Sequence, residues 1–159
     1  MPSNPKQALY ASLAEQLDAM IDGEGDLIAR AANTAALLFG SLPDLNWAGF
    51  YFLRGEQLVL GPFQGKPACL RIAMGKGVCG TAAVDRRTVI VDDVHKFPGH
   101  IACDSCSNSE IVVPIIVDDW LIGVLDLDSP KFGRFDDQDK VGLERIAAIF
   151  AAGVEPDDA

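Results

Sequence analysis

Residues 111–117 and 121–127 are two apolar runs of strand length, rich in Ile, Val and Leu, joined by the turn-forming pair Asp118-Asp119. This pattern reads as a β-hairpin and puts the hairpin at the centre of a sheet. Side chains alternate along a strand, so Asp126 and Asp128 should project from one face together with Val124 and Ile122. A carboxylate left unpaired in a dry site is costly or becomes protonated. Two of them at the end of an apolar strand are therefore candidates for binding a cation or donating a proton. The plainer alternative is that Asp128-Ser129 only opens the next turn and Asp126 is solvated at a strand end. Glu110 lies at the far end of the partner strand. A two-residue turn would set it opposite Leu127, whereas a three-residue turn or a bulge would bring it into line with an Asp.

The chain around this hairpin has 159 residues, 49% of them hydrophobic and 23% charged, enough for one globular domain spanning 1–159 with a substantial core. A net charge of -10 argues against nucleic acid and anionic membrane surfaces as partners, since both require clustered Lys and Arg. The N-terminus has no apolar leader, and no run reaches the ~18 apolar residues of a membrane helix, so a cytoplasmic location is expected. There the four cysteines, Cys69, Cys79, Cys103 and Cys106, are expected to be reactive, metal-binding or simply buried rather than a permanent disulfide framework.

Asn4 and Pro5 are a cap and first position for a helix with Leu9, Leu13, Leu17 and Met20 on one face. A second helix begins near Asp26 and should stop at Gly40. The period then changes: 47–53 and 58–64 flank Arg54-Gly55-Glu56-Gln57 as a hairpin. Residues 69–73 and 88–91 are two further strands, with a glycine-rich turn and a short helical segment from Cys79 to about Asp85 between them. Residues 92–109 form a long polar loop with His95, His100, Cys103 and Cys106, and loops of more than about 12 residues in compact domains are usually functional. Asp136 with Asp139 caps a last helix.

Gly75-Lys-Gly-Val-Cys-Gly80 has the G-x-G-x-x-G spacing of a dinucleotide site. The next strand starts at Thr88, too soon for the crossover of a dozen or so residues that a parallel unit requires. These glycines instead shape a tight turn that holds Cys79. Structural zinc draws on two close ligand pairs, and only Cys103-Asp-Ser-Cys106 has that spacing, so no metal is expected. His95 and His100 read as loop-surface residues. Trp47 and Tyr51, four apart in one strand, are either core or an aromatic wall of a ligand pocket.

Six segments in order, Asn46-Trp-Ala-Gly-Phe-Tyr51, Gly61-Pro-Phe-Gln-Gly65, Gly75-Lys-Gly-Val-Cys-Gly80, His100-Ile-Ala-Cys-Asp104, Ser109-Glu-Ile-Val-Val-Pro114 and Gly123-Val-Leu-Asp-Leu-Asp-Ser129, resemble the free methionine-(R)-sulfoxide reductases. The resemblance runs from about residue 7 to 152 and implies a GAF-like α+β fold. This is a six-stranded antiparallel sheet with the N- and C-terminal helices on one face and the site under loops on the other. It further implies that Cys103 attacks the substrate, that Cys69 resolves the oxidised cysteine, and that Cys79 stands by as a second thiol. Trp47 and Tyr51 would line the pocket, and Glu110, Asp126 and Asp128 would bind substrate. It favours a homodimer. Cys106 departs from the pattern, where a small residue is expected, and leaves Cys69, Cys79 and Cys106 all as candidates for the resolving thiol.

The implied reaction needs a thiolate to attack the sulfoxide sulfur and a protonated carboxyl group for its oxygen. Adjacent acids supply the second, because two carboxylates in one site cannot both ionise cheaply, and the one left charged can meet the ammonium group of a free amino acid. A second thiol converts the sulfenic acid to a disulfide, which an external dithiol such as thioredoxin resets. No cofactor is required. Two other readings are a GAF module that binds a small ligand without chemistry, and a redox sensor whose disulfide switches a partner.

Overall fold

The computed structural model describes residues 4–100 and 106–158. Helix α1 (Pro5–Ile21) starts where Asn4 accepts a hydrogen bond from the Lys6 amide, and α2 (Leu27–Ser41) starts under the equivalent cap of Asp26. Strands β1 (Trp47–Arg54) and β2 (Gln57–Gly65) form the first hairpin, followed by β3 (Arg71–Ala73), α3 (Gly77–Asp85) and β4 (Val89–Val91). Strands β5 (Ser109–Val117) and β6 (Trp120–Ser129) form the expected second hairpin, and α4 (Asp137–Ala151) closes the fold behind a complete capping box of Asp136 and Asp139. The sheet runs β3-β2-β1-β6-β5-β4, every neighbouring pair antiparallel, so the 111–127 hairpin is central as its composition demands.

The sheet separates two apolar layers. Ala48, Phe50, Phe52, Ile111, Val113, Ile115, Leu125 and Leu127 face α1, α2 and α4. The opposite parity of the same strands, Trp47, Tyr51, Val112 and Val124, packs with Cys79 and Ala82 of α3. The three-helix layer is tied by two buried ions. Asp139 accepts from Tyr10 Oη at 2.7 Å and pairs with Lys6 at 2.8 Å, while the Arg30 guanidinium donates to the Ile21 and Phe150 carbonyls at 3.0 and 2.8 Å.

Two sequence expectations for the helices shift. Met20 is 45% exposed and Ile21 takes its place in the core, because the buried stripe continues at the four-residue step from Leu17. Helix α2 passes through Gly40 to Ser41, and the Leu42 amide still donates to the Leu38 carbonyl.

The second hairpin has a two-residue turn, with Asp118 and Asp119 at φ 50° and 66°, and also a bulge. Near the turn Ile116 faces Leu121, but from Ile115, which faces Gly123, the pairing has moved by one residue. Glu110 therefore lies opposite Asp128, and Val112 opposite Asp126. The same bulge overturns one expectation: Ile122 packs in the helix-side layer, and Leu121 joins Val124 on the face of the acids.

Candidate active site

On the α3 side of the sheet, Trp47 and Tyr51 of β1, Asp126 and Asp128 of β6, Glu110 of β5 and Cys79 of α3 line one cavity, together with Ile72, Val78, His100 and Ser107. The sheet brings the acids together by adjacency, since Trp47 faces Asp128 and Gly49 faces Asp126 across the β1–β6 ladder. The glycine turn brings in the thiol. Gly75 and Gly77 adopt φ 81° and 63°, and a Cβ on Gly80 would lie 2.6 Å from the Ala73 carbonyl oxygen. The G-x-G-x-x-G spacing thus serves a compact β3–α3 corner that aims Cys79 at the sheet, within an antiparallel framework that has no dinucleotide crossover.

Cys79, Glu110 and Asp126 are 4%, 8% and 5% exposed, and one donor atom from each lies within 4.8 Å of the others. Cys79 Sγ is 3.9 Å from Glu110 Oε2. Burial, then the charge of Asp126, pushes the Glu110 carboxyl well above its usual range, and burial with the charge of Asp128 does the same to Asp126. Burial and these acids raise the Cys79 thiol, and Tyr51 is held in its phenol form by burial and the Asp126 charge. The cluster thus holds its protons to higher pH than solvated carboxyl groups would. Among the described residues, buried Asp126 Oδ1 has no hydrogen-bond partner, so the site offers an acceptor to whatever enters. A thiolate with two carboxylates is also a donor set for a borderline divalent ion, but such an ion would have to displace the protons the site retains. The sequence sought metal in Cys and His pairs and did not foresee this grouping.

Trp47 and Tyr51 form an aromatic side of this cavity. Trp47 and Tyr51 are each 2% exposed and their rings stack at 5.9 Å, with Phe63 5.2 Å from Trp47. His95 is exposed, as expected, but sits in a single 3-10 turn (Val94–Lys96) and is bonded to Asn108 at 2.9 Å. His100, expected at the surface, instead reaches the cavity, and Ser107 was not foreseen at all, because loop residues carry no periodicity that reveals their direction. Cys69 precedes β3 and is disulfide-bonded, while Cys79 and Cys106 are not. Cys103, and with it the Cys103–Cys106 spacing, lies outside the described residues.

Because Glu110 and Asp126 have folded-state pKa values above their unfolded ones, the native state binds more protons than the unfolded chain above about pH 4. The stability associated with these groups is present below that pH and is lost as pH rises. Asp126→Asn should therefore stabilise the protein at pH 8 by on the order of 1–3 kcal/mol, and the gain should vanish near pH 4. Thermal melts at the two pH values check this; a larger gain at pH 4 would reverse the proposed linkage.

The curled antiparallel sheet with helices behind it and a cavity under α3 defines a GAF-type domain, and the family model described as GAF domain matches residues 22–155. The chain is 54% identical over 143 residues to the free methionine-R-sulfoxide reductase of Escherichia coli, covering 90% of this chain and 87% of that one. It is 43% identical over 152 residues to the enzyme of the same name from Saccharomyces cerevisiae, covering 91% and 84%. The crystal structure of free methionine-R-sulfoxide reductase from Neisseria meningitidis in complex with its substrate superposes with a TM-score of 0.91 at 43% identity, over 96% of this chain and 92% of that one. The chain belongs to the free methionine-R-sulfoxide reductase family. Among the described residues, no helix is long and apolar enough to cross a membrane.

Proposed function

We propose that the protein is a one-domain enzyme that reduces free L-methionine-(R)-sulfoxide to L-methionine. The observation that carries this reading is the buried pair Glu110 and Asp126, whose carboxyl groups hold their protons more tightly than usual under an aromatic wall, with Asp126 Oδ1 unpaired among the described residues. Trp47 and Tyr51 pack the methyl sulfide end of the substrate. A protonated acid donates to the sulfoxide oxygen, and an ionised one holds the ammonium group. Cys103 attacks the sulfur; oxygen passes to the cysteine, leaving methionine and a sulfenic acid. Cys69 condenses with that acid, a sulfur–sulfur bond forms and water leaves. Thioredoxin then reduces the disulfide by exchange, oxidising its own dithiol.

Two features support this division of labour among the thiols. Cys79 is fully enclosed and its thiol is held protonated, which makes it a poor nucleophile and suits a reserve role in exchange. Cys69 already takes part in a disulfide while Cys79 and Cys106 do not. A homodimer in the cytoplasm, where dithiol reductants are supplied, completes the proposal.

The test is turnover of the R and S epimers of free methionine sulfoxide by the reduced protein with a dithiol. Methionine should form from the R epimer only. Tight binding of the R epimer with no methionine formed would return the protein to a ligand-binding GAF module.

A further inference from the structure

Trp47 and Tyr51 each end in a polar group, and neither is spent on the acids. Trp47 Nε1 donates to the Lys66 carbonyl at 3.1 Å, and Tyr51 Oη donates to the Cys69 carbonyl at 2.9 Å. Both acceptors lie in the stretch between β2 and β3, which has no helical or strand structure. Phenylalanine would serve an apolar wall equally well, and a buried hydroxyl is costly unless paired. The pairing therefore indicates what the hydroxyl is for. Burial and the Asp126 charge hold Tyr51 in the form that can donate.

We propose that Tyr51 is a positioning residue for the resolving thiol: through the carbonyl of Cys69 it anchors the segment that must deliver that thiol to the sulfenic acid. This rests on the assignment of Cys69 as the resolving cysteine. The condensation it assists joins the two sulfurs and releases the sulfenic oxygen as water, and its rate depends on how often the thiol lies within reach. An anchored segment raises that fraction. The anchor and the substrate pocket share one side chain, so the ring acts in the first half of the cycle and the hydroxyl in the second.

The experiment treats the reduced protein with one equivalent of the R-sulfoxide without reductant, and follows methionine release and the lifetime of the sulfenic acid with a carbon-nucleophile trap. Tyr51→Phe keeps the ring that lines the pocket but loses the anchor, so sulfenic acid decay should slow about tenfold, and by a larger factor than methionine release, as for one lost hydrogen bond of ordinary strength. Pro67→Gly, which loosens the same segment without changing a ring of the wall, should slow decay in the same direction. Cys69→Ser sets the limit of no resolution. If Cys69→Ser loses its sulfenic acid as fast as the parent, the assignment of Cys69 fails. If Cys69→Ser retains it but Tyr51→Phe decays at the parent rate, the positioning role alone is overturned. Equal slowing of both steps by Tyr51→Phe also overturns it, because the hydroxyl would then serve substrate or general stability.

Discussion

N-acetylation of methionine-(R)-sulfoxide is expected to lower kcat/KM by about two to four powers of ten. Oxygen protonation requires one acid, yet the cavity holds Glu110, Asp126 and Asp128, with Asp126 Oδ1 unpaired among the described residues. Once a cation enters, the cost of an ionised carboxylate there falls, so the ammonium group of a free amino acid and the surplus acid stabilise each other. Acetylation removes the cation, adds bulk and leaves the carboxylate alone. Breaking a buried charge pair costs roughly 3–5 kcal/mol, which sets the size of the effect. Methionine sulfoxide within a protein should be rejected for the same reason. Comparable kcat/KM for the free and acetylated R-sulfoxides would show that the acids do not read the ammonium group, and would confine them to proton donation or structure.

Cys103→Ser should reduce turnover to background, a loss on the order of ten-thousandfold or more, because an alcohol is neither ionised nor comparably nucleophilic at neutral pH. The other thiols offer no easy substitute. Cys79 faces the acids and is held as the thiol, Cys69 sits before β3 with its carbonyl bound by Tyr51, and Cys106 is exposed. Methionine release from a single turnover, measured beside multiple-turnover assays, separates loss of attack from loss of recycling. Substantial release by Cys103→Ser would move the nucleophile to one of these three.

What could be read from the sequence was whatever repeats along the chain. The helices, the two hairpins, the capping box of the last helix and the parity of Asp126 and Asp128 all follow from period and turn chemistry. The meeting of Cys79 with Glu110 and Asp126 did not, because it depends on how the β3–α3 corner packs on the sheet, a contact with no local signature. Alternation along β6 puts Ile122 on the face of the acids, whereas it packs against the helices, for a related reason. A bulge changes the parity of everything beyond it, and only the paired strand shows where it lies. For Glu110 the sequence leaves two registers open, and the bulge selects the one that sets it opposite Asp128.

That bulge gives the acids a second duty. A regular two-residue hairpin would pair Glu110 with Leu127, and either Glu110 or the two aspartates would then point into the three-helix layer. For the native sequence this slipped isomer is heavily penalised, since it buries carboxyl groups among Phe50, Leu127 and Ile111. The reactive groups thereby enforce the alignment that makes them reactive. Replacing all three with apolar side chains would lift the penalty, so an inactive variant of that kind could settle as a shifted hairpin, misleading as a control for substrate binding because its pocket would be rebuilt rather than merely neutralised.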